Sequence, residues 1–353
     1  MAREFVVWAA ADAHVGTDIK FGRESLADAI RQSEGRDPAS PGFHWDIMID
    51  TGDDSGAQGL PNDDEGRLLV QQFGEMRDHN RNQVYNVVGN HDATHASEDG
   101  AFDTQWWHRK WVDPTGDNTA FSGVDSARRP YPVTGTWEHY DFSVGNITFL
   151  MMADRNDYPP PVGRGPIGGF PAGAISLETF DWWKNGLQSA AGGIAISAHH
   201  HMIKETTVAS GDWEGVDNNY HGRFEHGAPI GASYIHFVGE EPDSGKIERY
   251  LEDHPGALDL WLGSHTHTHP DDRTGGRSHI ERKWGGATFV NIAALSKYHG
   301  MRNVPMSRVI TFTHGSDEAR IRCYMHTSDY RPQGWYEDAE RTIKLTTSFE
   351  APR

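Results

Sequence analysis

Short apolar runs of strand length recur along this 353-residue chain, and five of them end directly in residues able to hold a ligand. "FVVWAA" runs into Ala11-Asp12-Ala13-His14, and "WDIMID" into Thr51-Gly52-Asp53-Asp54. "QVYNVV" runs into Gly89-Asn90-His91-Asp92, "GGIAIS" into Ala198-His199-His200-His201, and "ALDLWL" into Gly263-Ser264-His265-Thr266-His267. Near-continuous β-favouring runs are the pattern of strands buried on both faces. Segments of helical spacing lie between them. Residues 63–78 carry Leu68, Leu69, Gln72, Phe73 and Met76 on one stripe; residues 176–187 open on a capping Ser176 with Glu178 close behind. Residues 244–254 put Ile247, Tyr250 and Leu251 on one face, ahead of Pro255-Gly256. Strand, polar loop, helix, strand is the rhythm of an α/β protein. In such sheets ligands bind beyond the carboxyl ends of the strands, so five ends bearing Asp, Asn and His predict one shared site.

Three stretches break the rhythm. Residues 93–137 include "TQWWHRKW", a candidate helix whose Trp106, Trp107 and Trp111 read as core anchors before substrate stackers. Residues 155–175 are Pro/Gly-rich and too long for a mere connector, and residues 202–243 are polar and Gly-rich. Both are candidates for lids over the site, or for surface excursions with no role. Arg155 and Arg164 are candidate substrate contacts, set against plain surface arginines. The expectation is one domain over 1–325 containing these insertions, and a polar tail, 326–353, packed on its surface.

Composition narrows the functions available. With 32 basic and 51 acidic residues the net charge is −19, which repels phosphate backbones and anionic membranes and argues against long nucleic acid as a partner. Bound cations can invert that locally. The single Cys323 excludes an internal disulfide and a thiolate-rich zinc site. The start shows no signal-peptide core, Asp12 interrupting its short apolar run, and no stretch approaches the roughly 18 apolar residues of a membrane span. A cytoplasmic protein is expected.

In "GSHTHTHP", alternation puts His265, His267 and His269 on one side of an extended chain, which suggests a metal. His265 and His267 lie nearest the strand end. His269 is roughly 6–7 Å further along an extended chain, too far to share an ion at bonds of about 2.0–2.1 Å unless the chain folds back, and it is expected to stand aside.

Taken in order, the loops read D-x-H, G-D, G-N-H-D, H and G-x-H-x-H. Over roughly residues 5–295 the chain here resembles the calcineurin-like metallophosphoesterase superfamily, whose five motifs come in this order. The resemblance implies a double β-sheet sandwich flanked by helices, a four-layer αββα fold, with two divalent or mixed-valent ions, manganese, iron or zinc, at the strand ends. It implies that Asp12, His14 and His267 hold the first ion, that Asp53 bridges, and that Asn90, His199 and His265 complete the second. His200 is the alternative to His199. Two carboxylates against two divalent ions leave two positive charges, which suit a phosphate group. The implied reaction is hydrolysis of a small-molecule phosphodiester or phosphomonoester by a metal-bridging hydroxide. His91 would be the acid that protonates the leaving group, oriented by Asp92 or Asp54. Departures from the family's pattern are the lack of an Arg after "GDD", the lack of a ligand tyrosine after Asp53, and Asp92 where Glu is usual. They set the chain apart from the protein Ser/Thr phosphatases and the purple acid phosphatases. A nuclease of the same superfamily and a non-catalytic scaffold are the competing readings.

Overall fold

The computed structural model describes residues 3–56, 61–92, 105–155, 173–212, 214, 224–225, 228–229, 233–237, 245–298 and 303–352. Two sheets face each other. The first has six strands in the order Gly334–Lys344, Glu318–Met325, Met306–Thr313, Glu4–Ala10, Ile47–Asp50, Val84–Asn86. The second has seven, in the order Ile280–Lys283, Ala287–Asn291, Leu260–Gly263, Ile194–Ala198, Ile147–Met152, His139–Val144, Thr134–Gly135. The second has a parallel centre and antiparallel edges, whereas the first is antiparallel from Gly334–Lys344 to Glu4–Ala10 and parallel at its other end: Glu4–Ala10 runs parallel to Ile47–Asp50, which runs parallel to the edge strand Val84–Asn86. Leu260–Gly263 is parallel to both of its neighbours.

Alternation along each strand builds the layers. Phe5, Val7 and Ala9 point between the sheets and meet Phe149, Ile196, Leu260 and Leu262 of the other sheet. Val6, Trp8 and Ala10 point outward, onto helices Ser25–Ser33 and Asp63–Phe73. On the far side Ala195, Trp261 and Phe289 meet Leu177–Ser189 and Gly245–Asp253. Four layers, αββα, result. Ser176 caps its helix as expected, accepting from the Thr179 N–H at 3.0 Å. Trp107 and Trp111 are core residues, and the Trp111 ring presses so closely on helix residue Gly66 that a Cβ there would stand 2.2 Å from its Cγ. No helix among the described residues is long and apolar enough to cross a membrane.

The tail departs from a surface wrap. Gly334–Lys344 is the edge strand of the first sheet, and Leu345 and Phe349 reach into the core between the sheets. Charged residues at 337–341 mask that strand in sequence, because an edge strand keeps one side in water. Most of the expected lid segments, 156–172 and the greater part of 213–244, lie outside the described residues, as does Arg164. Arg155 is described, and its guanidinium pairs with Glu138 at 2.5 Å; Glu138 also accepts from Ser176 and Thr179 at the start of the helix that Ser176 caps.

Candidate metal centre

The carboxyl ends of the parallel strands of both sheets meet along one rim, and the loops there are stitched to one another by main-chain bonds. Asp12 N–H donates to Gly52 O (2.8 Å), His14 N–H to Asp53 O (3.0 Å) and Val15 N–H to Asp54 O (2.9 Å). The His91 N–H donates to Asp53 Oδ1 at 2.7 Å. Gly89 lets the third loop approach, since a Cβ there would stand 2.3 Å from both the nitrogen and Oδ1 of Asp53. Four of the nine described non-glycine residues at positive φ are site residues, Asp12, His14, Asp53 and His265. Such strain concentrates where side-chain aim outranks backbone comfort.

Three imidazoles are aimed in the same way. His14 Nδ1 lies 2.8 Å from Ser55 O, His200 Nδ1 2.8 Å from Thr51 O, and His267 Nδ1 2.6 Å from Tyr298 O. A carbonyl can only accept, so each Nδ1 carries the proton and each Nε2 turns a lone pair inward. Those Nε2 atoms surround the two carboxylates. His267 Nε2 is 2.7 Å from Asp12 Oδ1 and 3.4 Å from His14 Nε2; His14 Nε2 is 3.8 Å from both Asp12 Oδ1 and Asp53 Oδ2; His200 Nε2 is 3.1 Å from Asp53 Oδ2 and 3.2 Å from His265 Nδ1. All are buried. Asn90 adds an amide oxygen that is buried with no hydrogen-bond partner among the described residues. Donor atoms fall into three overlapping groups, Asp12-His14-His267, Asp12-Asp53-His200 and His200-His201-His265, each within 4.8 Å. Lone pairs spaced so closely repel unless a cation stands between them. Nitrogen and oxygen donors with bonds of about 2.0–2.2 Å suit a divalent ion of the zinc or manganese kind.

Electrostatics give the same picture from the proton side. Burial alone would raise the Asp53 carboxyl, but His200, His91 and His14 hold it below the usual carboxylate range. Against its own burial, His200 is pushed up to about 10 by Asp53 and Asp12. Two buried carboxylates demand positive charge, and imidazolium protons and metal ions compete to supply it.

Of the residues expected at the site, Asp12, His14, Asp53, Asn90, His265 and His267 stand on this rim. His199 does not, and His200 takes its place. Ile194, Ile196 and Ala198 face between the sheets while Ala195 and Ser197 face the helices, so residue 200, not 199, continues the inward face. His199 points toward Trp261, its Nδ1 accepts from the His201 N–H at 2.9 Å, and burial pushes it down to about 3. Strand parity is the signal in the sequence that would have singled out His200.

Asp92 is also corrected. Its Oδ2 accepts from the N–H groups of Asp53 and Gly89 and its Oδ1 from that of Ser55, each at 2.9 Å. Its carboxylate therefore braces the Asp53 loop instead of orienting His91. Asp54 turns into a buried group with Asp50 and Arg81, where burial and Asp50 push its carboxyl well above the usual range. His91 is 8% exposed, its ring edge-on to His14 with centroids 4.8 Å apart, and burial pushes its imidazole down to about 3. His201, for which the sequence predicts no role, joins the third donor group. Its ring lies 3.9 Å from that of His265, and its Nε2 accepts from the Gly173 N–H at 3.1 Å. His269 belongs to none of the three donor groups, and its ring lies 5.2 Å from that of Tyr330.

No family model matches the chain, and no curated protein sequence matches it. Among solved structures it is similar to a purple acid phosphatase from yellow lupin (Lupinus luteus) seeds, 12% identical, with a TM-score of 0.51 and with 98% of this chain and 54% of that one covered. The chain thus spans about half the length of that enzyme. Fainter likenesses are to GAP50, the anchor in the inner membrane complex of Plasmodium (9% identical, TM-score 0.47, 98% and 90% covered), and to the sulfate thiohydrolase SoxB of Thermus thermophilus (12% identical, TM-score 0.40, 95% and 58% covered).

Proposed function

We propose that this chain, which carries the calcineurin-like metallophosphoesterase fold, is a metal-dependent hydrolase of phosphoric esters acting on a small-molecule diester or monoester. The observation that carries the reading is the inward aim of three Nε2 lone pairs, each set by a main-chain carbonyl, around Asp12 and Asp53. Asp12, His14, His267 and Asp53 would hold one ion, and Asp53, His200, His265 and Asn90 a second, with Asp53 shared. When bound, such ions activate a water molecule and neutralise the phosphoryl oxygens.

The residues of the chain supply the rest. The Asp53 loop is held by Asp92 and by the His91 N–H, so its carboxylate stays fixed whatever occupies the rim. His91 sets its ring edge-on to His14. An adjacent phosphoryl anion favours its imidazolium form. In that form it would give its proton to the departing alkoxide. The expected partner is a small anionic ester drawn to a cationic centre on an otherwise acidic surface.

The test is metal content together with hydrolysis. Wild type loaded with manganese, iron or zinc should hydrolyse members of a mono- and diester panel, and Asp53→Asn should lose both bound metal and activity. A metal-loaded wild type inert toward the whole panel would favour a binding scaffold instead.

A further inference from the structure

A cavity of about 490 Å³ opens where the parallel strands Ile194–Ala198 and Leu260–Gly263 begin, the end of the sheet opposite the metal rim, and Gly193 and Ala257 line it there. Its size is that of small-molecule sites. Two helices end in its walls: Leu177–Ser189 contributes Leu187 and Gln188, and Gly245–Asp253 contributes Tyr250, with His254 just beyond. Both bring their carbonyl ends, the negative pole of a helix, to the same place. Neither has a basic residue in its last turn, and no lysine, arginine or carboxylate is among the described residues that line the cavity. The Tyr250 and His254 rings stack with centroids 4.1 Å apart, and Tyr250 is backed by the buried Trp183 at 5.5 Å. His254 is exposed, and its Nδ1 lies 2.8 Å from the Tyr250 carbonyl. A carbonyl only accepts, so in the neutral ring Nδ1 carries the proton and Nε2 keeps a lone pair for an incoming donor. Hydrogen bonds hold the remaining walls in place. Thr346 donates its N–H and hydroxyl to Asp259 at 2.6 and 3.1 Å, the Gly193 N–H donates to Ala190 O at 2.9 Å, and the Gly256 N–H to Gly285 O at 2.9 Å.

We propose that this cavity binds an organic cation, a protonated amine carried on a small apolar body. The helix carbonyl ends and His254 Nε2 accept from its ammonium N–H groups, bonds strengthened by the charge, while Leu187, Pro255 and Ala257 cover the apolar part. An anion is repelled by both helix ends, and a neutral apolar molecule leaves them unused. The net charge of −19 draws cations toward the surface as a whole. The site lies apart from the metal centre and holds whether or not the chain hydrolyses phosphoesters.

The test compares two probes of the same shape, benzylammonium and benzyl alcohol, titrated at pH 8 against the zinc-loaded full chain by ligand-observed NMR. Wild type should prefer benzylammonium by about tenfold, the scale of two helix termini acting on one charge. Gln188 is exposed on the wall, so its charge can be changed without disturbing the core. Gln188→Glu should strengthen benzylammonium binding by about threefold and Gln188→Lys weaken it by as much, the range of a surface ion pair, and neither should move benzyl alcohol. Ala191→Trp, at another exposed wall position, fills the cavity and should abolish binding of both probes at an unchanged melting temperature. Equal affinities for the two probes, no binding of benzylammonium, Gln188 variants that bind it alike, or binding that survives Ala191→Trp would each overturn the proposal. None of these results depends on ester hydrolysis, so the phosphoesterase reading stands or falls separately.

Discussion

Replacing Asp92 separates a brace from a catalytic partner. The Asp92 carboxylate is fully buried and accepts the N–H groups of Asp53, Gly89 and Ser55, each at 2.9 Å. In Asp92→Ala those three donors lose their acceptor, at about 1–3 kcal/mol each. Relief from burying a carboxylate and entry of water into the space recover part of that, leaving a net loss on the order of 3–5 kcal/mol. Asp92→Asn can turn its single oxygen to the Asp53 and Gly89 amides but then faces Ser55 N–H with a second donor, so its loss should be smaller, on the order of 2 kcal/mol. Urea unfolding of both variants and wild type, all stripped of metal so that ion loss does not enter, gives the comparison. The order expected is wild type, then Asn, then Ala, with both variants also binding metal more weakly once reloaded, because the Asp53 loop relaxes. An Asp92→Ala protein within about 0.5 kcal/mol of wild type that slows only for esters with poor leaving groups would refute this and restore the role of orienting His91.

Other expectations can be checked separately. His200→Ala should weaken metal binding by well over the 10–100-fold typical of a residue behind the ligands, while His199→Ala should change it little; titration of metal-stripped protein with manganese decides, and equal losses would contradict the strand parity. His91→Asn should keep its metal yet lose about 10²–10⁴-fold in kcat/KM on alkyl esters, and clearly less on a nitrophenyl ester of the same charge; equal losses would remove its role as proton donor. Away from the site, His326 is buried between Ser307 Oγ (2.8 Å) and Gln32 Oε1 (2.7 Å), and burial pushes its imidazole down to about 3. A depressed histidine binds its proton more readily unfolded, so its contribution is full above the unfolded value of about 6.5 and drains away below it, at about 1.4 kcal/mol per pH unit. The melting temperature should therefore fall more steeply from pH 6.5 to 5 in wild type than in His326→Gln, and parallel curves would refute this.

Strand-length apolar runs, each ending in Asp, Asn or His, determined the α/β class and the rim where the loops meet, while the two-sheet architecture came only from the resemblance that those motifs carry. Both periodicity and the rule that ligands gather at carboxyl ends act locally and can be read from neighbouring residues. The choice of His199 over His200 was the exception: parity along Ile194–Ala198 carried the answer, because side-chain direction in a strand follows position alone, but the resemblance pointed to the histidine nearest the strand end instead. Other features depend on contacts between segments remote in sequence. Asp92 sits beside His91 in the chain, yet two of its three amide partners, Asp53 and Ser55, are brought to it by the turn after Ile47–Asp50, so only the folded loops turn its carboxylate into a brace. The polar tail becomes an edge strand because Glu318–Met325 offers it a free edge, which its own composition does not reveal. A sequence records which residues can act, but a site assembled from distant loops acquires its roles from the hydrogen bonds that close it.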